Sequence, residues 1–152
     1  MYKKILVPMD GSKFAECVLD HVRYFSAGCN SAEVILYFVL EPISGGISEL
    51  PLDWMDEAKK RGLDFANNYL NEISGDLQKS GINITKVVTQ GNPAESVLSY
   101  AQSNGIDLII LSTHGRSGIA RWALGSVADK VIHNSSVPIL IVTPPGCRLP
   151  AS

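Results

Sequence analysis

The densest chemistry in this chain lies between Ser112 and Lys130, which read Ser112-Thr-His-Gly-Arg-Ser-Gly-Ile-Ala-Arg-Trp-Ala-Leu-Gly-Ser-Val-Ala-Asp-Lys. Gly115, Gly118 and Gly125 remove the Cβ where a loop turns tightly or lets a ligand approach its backbone. The run follows an apolar stretch, Ile106 to Leu111, and leads into Ser126-Val-Ala-Asp, whose serine-then-acid spacing starts a helix. Free N–H groups at such a start, together with the positive end of the helix dipole, favour an anion. Two readings stand. The loop is a phosphate cradle, or its glycines only make a turn and Ser126 only caps the helix. His114, Arg116 and Arg121 add positive charge to the loop, or simply solvate its face. Neither G-x-x-x-x-G-K-[ST] nor G-x-G-x-x-G occurs, so a nucleotide would be held in some other way.

The elements that must position this loop follow from periodicity. Tyr2 to Met9, with Ile5, Leu6 and Val7 apolar in a row, reads as a strand covered on both faces. Asp10-Gly11-Ser12 breaks it. Ser12 caps a predicted helix from Lys13 to Ala27 whose apolar stripe is Ala15, Val18, Leu19, Val22 and Phe25. Val34 to Leu40 is a second strand, followed by a loop from Glu41 to Leu52 that is either a lid or a solvated connector. Met55, Ala58, Gly62, Phe65, Ala66, Tyr69, Leu70, Ile73 and Leu77 keep helical spacing, with Trp54 and Met55 expected as core anchors. Ile82 to Gln90 alternates with polar residues, as an edge strand does. Asn92-Pro93 starts a helix that buries Ala94, Val97, Leu98 and Ala101 and that Gly105 closes. A short helix with Val127, Val131 and Ile132 then precedes a last strand in Val137 to Thr143.

A chain of 152 residues suits one domain, expected over residues 1–144, with residues 145–152 a disordered tail. Net charge −2 and pI near 5.9 disfavour general binding to nucleic acid or anionic membrane. Cys17, Cys29 and Cys147 are too few and scattered for a disulfide framework or zinc site. No signal peptide is visible after Met1, and no stretch approaches the ~18 apolar residues of a membrane span. A cytoplasmic protein is expected.

Strands alternating with helices imply an α/β fold, an open five-stranded parallel sheet with helices on both faces. With the polar third strand at one edge, the order is 3-2-1-4-5. The winding reverses between the first and fourth strands, and ligands bind such sheets at the carboxyl ends of the strands at that point. Asp10-Gly11-Ser12 and the loop from Ser112 to Gly125 meet there. Asp10 then either contacts a base, ribose or metal, or only forms an Asx turn. The fifth strand, apolar from Ile139 to Val142, is an open edge unless covered. A two-fold homodimer through that strand is the expected cover.

These residues resemble the universal stress protein family from Tyr2 to about Thr143. Val7-Pro8-Met9-Asp10-Gly11-Ser12 is similar to its opening strand and turn. Ser112-Thr-His-Gly-Arg-Ser-Gly with Gly125-Ser126 looks like its nucleotide signature, G-x2-G-x9-G-[ST], including the nine-residue spacing from Gly115 to Gly125. The resemblance implies ATP as ligand, alone or with Mg or Mn. Asp10 and Val39 would contact ribose and adenine; Gly115, Gly125, Ser126 and the Val127 backbone would contact ribose and phosphates; Pro8, Leu111 and Ser112 would complete the pocket. Ser112 stands where the signature has its first glycine. It is tolerable if its φ is negative and narrows the pocket otherwise.

Three functions compete: an ATP-binding regulatory dimer or switch of the stress response, a slow Mg-dependent ATP hydrolase, and a nucleotide-free interaction module. No nucleophile–base pair marks a dedicated catalyst, and no catalytic residue is assigned.

Overall fold

A computed structural model describes residues 2–28, 32–42, 52–115 and 124–144. Its elements are β1 (Lys4–Met9), α1 (Lys13–Glu16), α2 (Leu19–Gly28), β2 (Glu33–Leu40), α3 (Leu52–Lys79), β3 (Asn83–Gln90), α4 (Pro93–Ser103), β4 (Leu108–Ser112), α5 (Ser126–Asn134) and β5 (Ile139–Val142). The strands form a five-stranded sheet in the order β3-β2-β1-β4-β5, and every pairing is parallel. This is the order expected from the sequence. Gly118, Arg116, Arg121, Cys29, Cys147, most of the loop between Glu41 and Leu52, and the tail expected at residues 145–152 lie outside the described residues.

Continuous apolar strands follow from burial on both faces, because the period of two sends alternate side chains to opposite layers. Ile5, Val7, Val34, Leu36, Phe38, Leu108 and Ile110 face a layer built from Ala15, Val18, Val22, Ala66, Leu70 and Leu77. Leu6, Ile35, Tyr37, Val39, Ile109 and Leu111 face the other layer, with Ala94, Val97, Ala101, Ala128 and Val131. Thus α1, α2 and α3 cover one face, and α4 and α5 cover the other. β3 is only partly buried along its length, as an edge strand should be.

Two expectations need correction. The predicted Lys13–Ala27 helix is broken at Cys17 and Val18, whose N–H groups bond to Phe14 and Ala15 carbonyls three residues back. This tight turn re-aims the chain while Ala15, Val18 and Val22 all stay in the core. Trp54 and Met55 are not core anchors: they are 68% and 39% exposed, and Phe65 is 54% exposed. The cause is length. A helix of 28 residues spans ~42 Å at 1.5 Å per residue, whereas an eight-residue strand spans ~26 Å. Residues 53–61, all exposed, therefore have no sheet beneath them, and the buried positions of α3 begin at Ala66.

Candidate functional site

The first part of the site is the turn after β1. Asp10 Oδ1 accepts the Ser12 N–H at 2.9 Å, and Ser12 Oγ accepts the Ala15 N–H at 3.1 Å, so an Asx turn runs directly into a capped helix. The turn is supported from beneath by aromatic rings. Gly11 has φ +84°, and a Cβ there would lie 2.9 Å from the Phe65 ring. Phe65 stacks on Tyr69 with centroids 6.1 Å apart and meets the edge of Phe38. Burial pushes the Tyr69 phenol well above its ordinary value, and the charges of Glu16 and Asp10 add to that direction.

Asp10 does more than form the turn. Its other carboxylate oxygen, Oδ2, faces Gly115 so closely that a Cβ on Gly115 would collide with it. The loops after β1 and β4, distant in sequence, are therefore in contact, and a side chain at Gly115 would have to displace the Asp10 carboxylate.

The second part begins at the end of β4. Ser112 is in strand register with Val142, so its backbone is extended and its φ negative; the serine at the position of the first signature glycine is accommodated without strain. Its Oγ accepts the His114 N–H at 3.2 Å and the Cys17 S–H at 3.6 Å, tying the end of α1 to this loop. Thr113 is buried. Its N–H donates to Val142 O at 2.9 Å and its carbonyl accepts the Gly125 N–H at 2.8 Å. Its hydroxyl lies 2.8 Å from His114 Nδ1. The Thr113–Gly125 bond closes the loop and brings α5 back to the end of β4.

That closure corrects the reading of Ser126. The N-cap of α5 is Gly125, and no side chain bonds the helix start. A Cβ at Gly125 would sit 3.1 Å from the Thr113 carbonyl oxygen, a tight contact, so a side chain at the cap position would press on that carbonyl. Ser126 is shifted into the first turn, with its side chain exposed. The contrast with α1 and α4 is direct: Ser12 caps the first and Asn92 caps the second, accepting the Glu95 N–H. At α5 the N–H groups of Ser126, Val127 and Ala128 have no protein acceptor among the described residues. This is the free helix start that an anion fits.

A cavity of about 340 Å³ joins these parts, and Pro8, Asp10, Val39, Leu111, Ser112, Gly115, Gly125, Ser126 and Val127 all line it. Every site residue expected from the sequence is thus brought to one place. The volume falls within the roughly 300–1,000 Å³ of small-molecule sites. Pro8, Val39, Val97 and Leu111 give it apolar walls; Asp10 and Glu41 put acid on the β1 and β2 side, and His114 and Lys130 lie on the β4 and α5 side. Tyr37, Asn92, Pro93, Thr113 and Lys130 also line the cavity and were not singled out for it. Simple signals exist for three of them. Tyr37 is two residues before Val39 on one strand, hence on the same face, Asn92 starts a helix at the carboxyl edge of a parallel sheet, and Lys130 is one helical turn beyond Ser126. Among the described residues, no group of three His, Cys, Asp or Glu side chains is placed to hold a metal ion. No helix of the described residues is long and apolar enough to cross a membrane.

A doubly wound parallel sheet with a cavity at its switch point defines an α/β protein of the ligand-binding kind. The model of the universal stress protein family matches residues 1–143, and the chain belongs to that family. Universal stress protein MJ0577 of Methanocaldococcus jannaschii is 31% identical over 155 residues, covering 93% of this chain and 95% of its own. A solved structure of MJ0577 superposes with a TM-score of 0.86 at 32% identity, covering 96% of this chain and 99% of that one. A universal stress protein solved in complex with cAMP has a TM-score of 0.68 at 24% identity, covering 93% of this chain and 97% of its own. A member from Arabidopsis thaliana solved with AMP bound has a TM-score of 0.70 at 12% identity, covering 95% and 93%. These last two show the shared fold.

Proposed function

We propose that this chain is an ATP-binding regulatory protein of the stress response, a cytoplasmic homodimer in which bound nucleotide stabilises one conformation for a partner to read. The observation that carries the reading is the uncapped start of α5, held against Thr113 by the Gly125 N–H and opening into the cavity. The residues present fit the group. Val39, Pro8 and Leu111 offer an apolar wall to adenine, Asp10 a carboxylate to the ribose hydroxyls, and Gly115, Gly125, Ser126 and Val127 backbone and hydroxyl donors to phosphates, with ATP taken alone or as its Mg or Mn complex. Neighbours that share the fold were solved with cAMP and AMP; the reading for this chain rests on its own cavity.

The dimer half of the proposal is supported by β5. It ends the sheet on its outer side and leaves Ile141 38% exposed, so a second copy pairing along Ile139 to Val142 would cover both the apolar side chain and the open backbone edge. Ile141→Asp should give a monomer in sedimentation analysis where the parent chain gives a dimer; a monomeric parent would remove this half of the proposal.

The nucleotide half is tested by purifying the protein without added nucleotide, denaturing it and resolving the released small molecules by chromatography against a buffer control. ATP retained near stoichiometry supports the regulatory reading. Mostly ADP moves the function to slow hydrolysis. An empty protein that also fails to bind Mg-ATP by calorimetry leaves the interaction module.

A further inference from the structure

The reading above names ATP, but an adenine site at a switch point can equally hold a nucleotide with one phosphate. What separates these ligands is the charge beyond the first phosphate, so a cation that meets this charge biases the ligand class. The Asp10 and Glu41 carboxylates line the cavity at the β1 and β2 side. Lys130 lines it from α5. It stands four residues after Ser126, on the same helical face, and helical side chains lean back toward the N-terminus. From this position its side chain can reach back toward the uncapped N–H groups. Among the described residues its ammonium makes no ion pair: the nearby carboxylate Asp129 is 3.5 Å from His133 Nδ1 instead. An unpaired cation leaning toward the positive end of a helix is opposed by the dipole, an arrangement that becomes favourable once a polyanion lies between them.

We propose that Lys130 reads the phosphate tail, favouring nucleoside di- and triphosphates over AMP and cAMP at this site. The inference rests on the nucleotide reading above. The backbone donors of Val127 and its neighbours receive the first phosphate whatever the ligand, and Lys130 adds a charge-assisted contact only when a second or third phosphate is present. Because the side chain is exposed and makes no hydrogen bond or ion pair among the described residues, changing it leaves the fold in place.

The test is calorimetric titration of the full chain, parent and Lys130→Gln, with ATP, ADP, AMP and cAMP, and with Lys130→Arg as the conservative variant. Charge-assisted bonds of this kind predict a loss of about tenfold or more for ATP and ADP in the Gln variant. AMP and cAMP should change by less than about twofold, and Arg should restore most of the loss. An equal loss across the four ligands, or none, overturns the role of Lys130 while leaving the nucleotide site standing. A parent protein that binds none of them overturns the nucleotide reading itself, and this inference with it.

Discussion

The two ends of the β1/β4 pair are built from the same strands and do opposite things. At the amino ends, Asp107 Oδ2 accepts the N–H groups of both Lys3 and Lys4 at 2.8 Å, and the Asp107 N–H returns to Lys4 O at 2.9 Å. Donors and acceptors satisfy one another and the end is closed. At the carboxyl ends, Asp10 uses one oxygen for the Ser12 turn and turns the other toward Gly115, and the start of α5 is left without a side-chain cap. The register itself differs: β1 pairs with β2 over six positions but with β4 over only Ile5–Leu108 and Leu6–Ile109. Two aspartates flank the same junction, one finishing a structure and the other facing a cavity. A parallel sheet puts helix starts at only one of its ends, and that end is where a ligand can complete the hydrogen bonding.

The comparison breaks most visibly at Gly115. Gly115→Val drives a side chain into the Asp10 carboxylate and should reduce ATP affinity at least ~100-fold, equivalent to about 2.7 kcal/mol, in a calorimetric titration, while the closed end keeps the protein folded. Undiminished binding would mean that the two loops do not form the site. Gly125→Val is expected next. Crowding the Thr113 carbonyl should lower ATP affinity by tenfold or more and, as an overpacked position, destabilise the fold by about 1–3 kcal/mol, read from the urea midpoint.

Asp10→Asn separates turn from ligand, since asparagine keeps the Asx turn and loses the charge. ATP binding should fall about tenfold, consistent with one charge-assisted hydrogen bond, with the thermal midpoint nearly unchanged; a large loss of stability with no loss of affinity would reduce Asp10 to a turn residue.

The smallest effect belongs to the closed end. Hydrogen bonds from the Lys3 and then the Lys4 backbone hold Asp107 below its ordinary value of 3.8. Its contribution is therefore complete above that value and is lost as pH falls through the lower, folded one. Because Asp107 is only partly buried, the contribution is at most about 1 kcal/mol. Asp107→Asn should lower stability by less than that at neutral pH, flatten the acid limb of the stability profile below about pH 4, and leave ATP affinity unchanged. A change in affinity would show that the two ends are coupled.

Much of this could be read in one dimension. Apolar runs at Ile5-Leu-Val, Val34 to Leu40 and Ile106 to Leu111 dictate buried parallel strands, because only strands covered on both faces are apolar at every position. The polar alternation of Ile82 to Gln90 places that strand at an edge, and right-handed connections then leave little choice of order. The spacing of Gly115, Gly125 and Ser126, with Asp10 at the first turn, marks the end of the sheet where the cavity lies. Other features were not legible. Trp54 and Met55 keep the periodicity of a buried helix, but periodicity records which face a residue occupies and not whether a sheet reaches beneath it. Ser126 has the composition of a cap, and it loses that role because the Gly125 N–H bonds the Thr113 carbonyl just beyond β4, which sets the cap one residue earlier. Ser112 was ambiguous until its pairing with Val142 defined its backbone. The sequence by itself determined the layers, the strand order and the two loops that meet at the cavity, since these depend on burial and local propensity. Which oxygen of Asp10 meets Gly115 and which helix is left uncapped were decided by tertiary structure, because each depends on a distance between segments that nothing in the spacing of residues specifies.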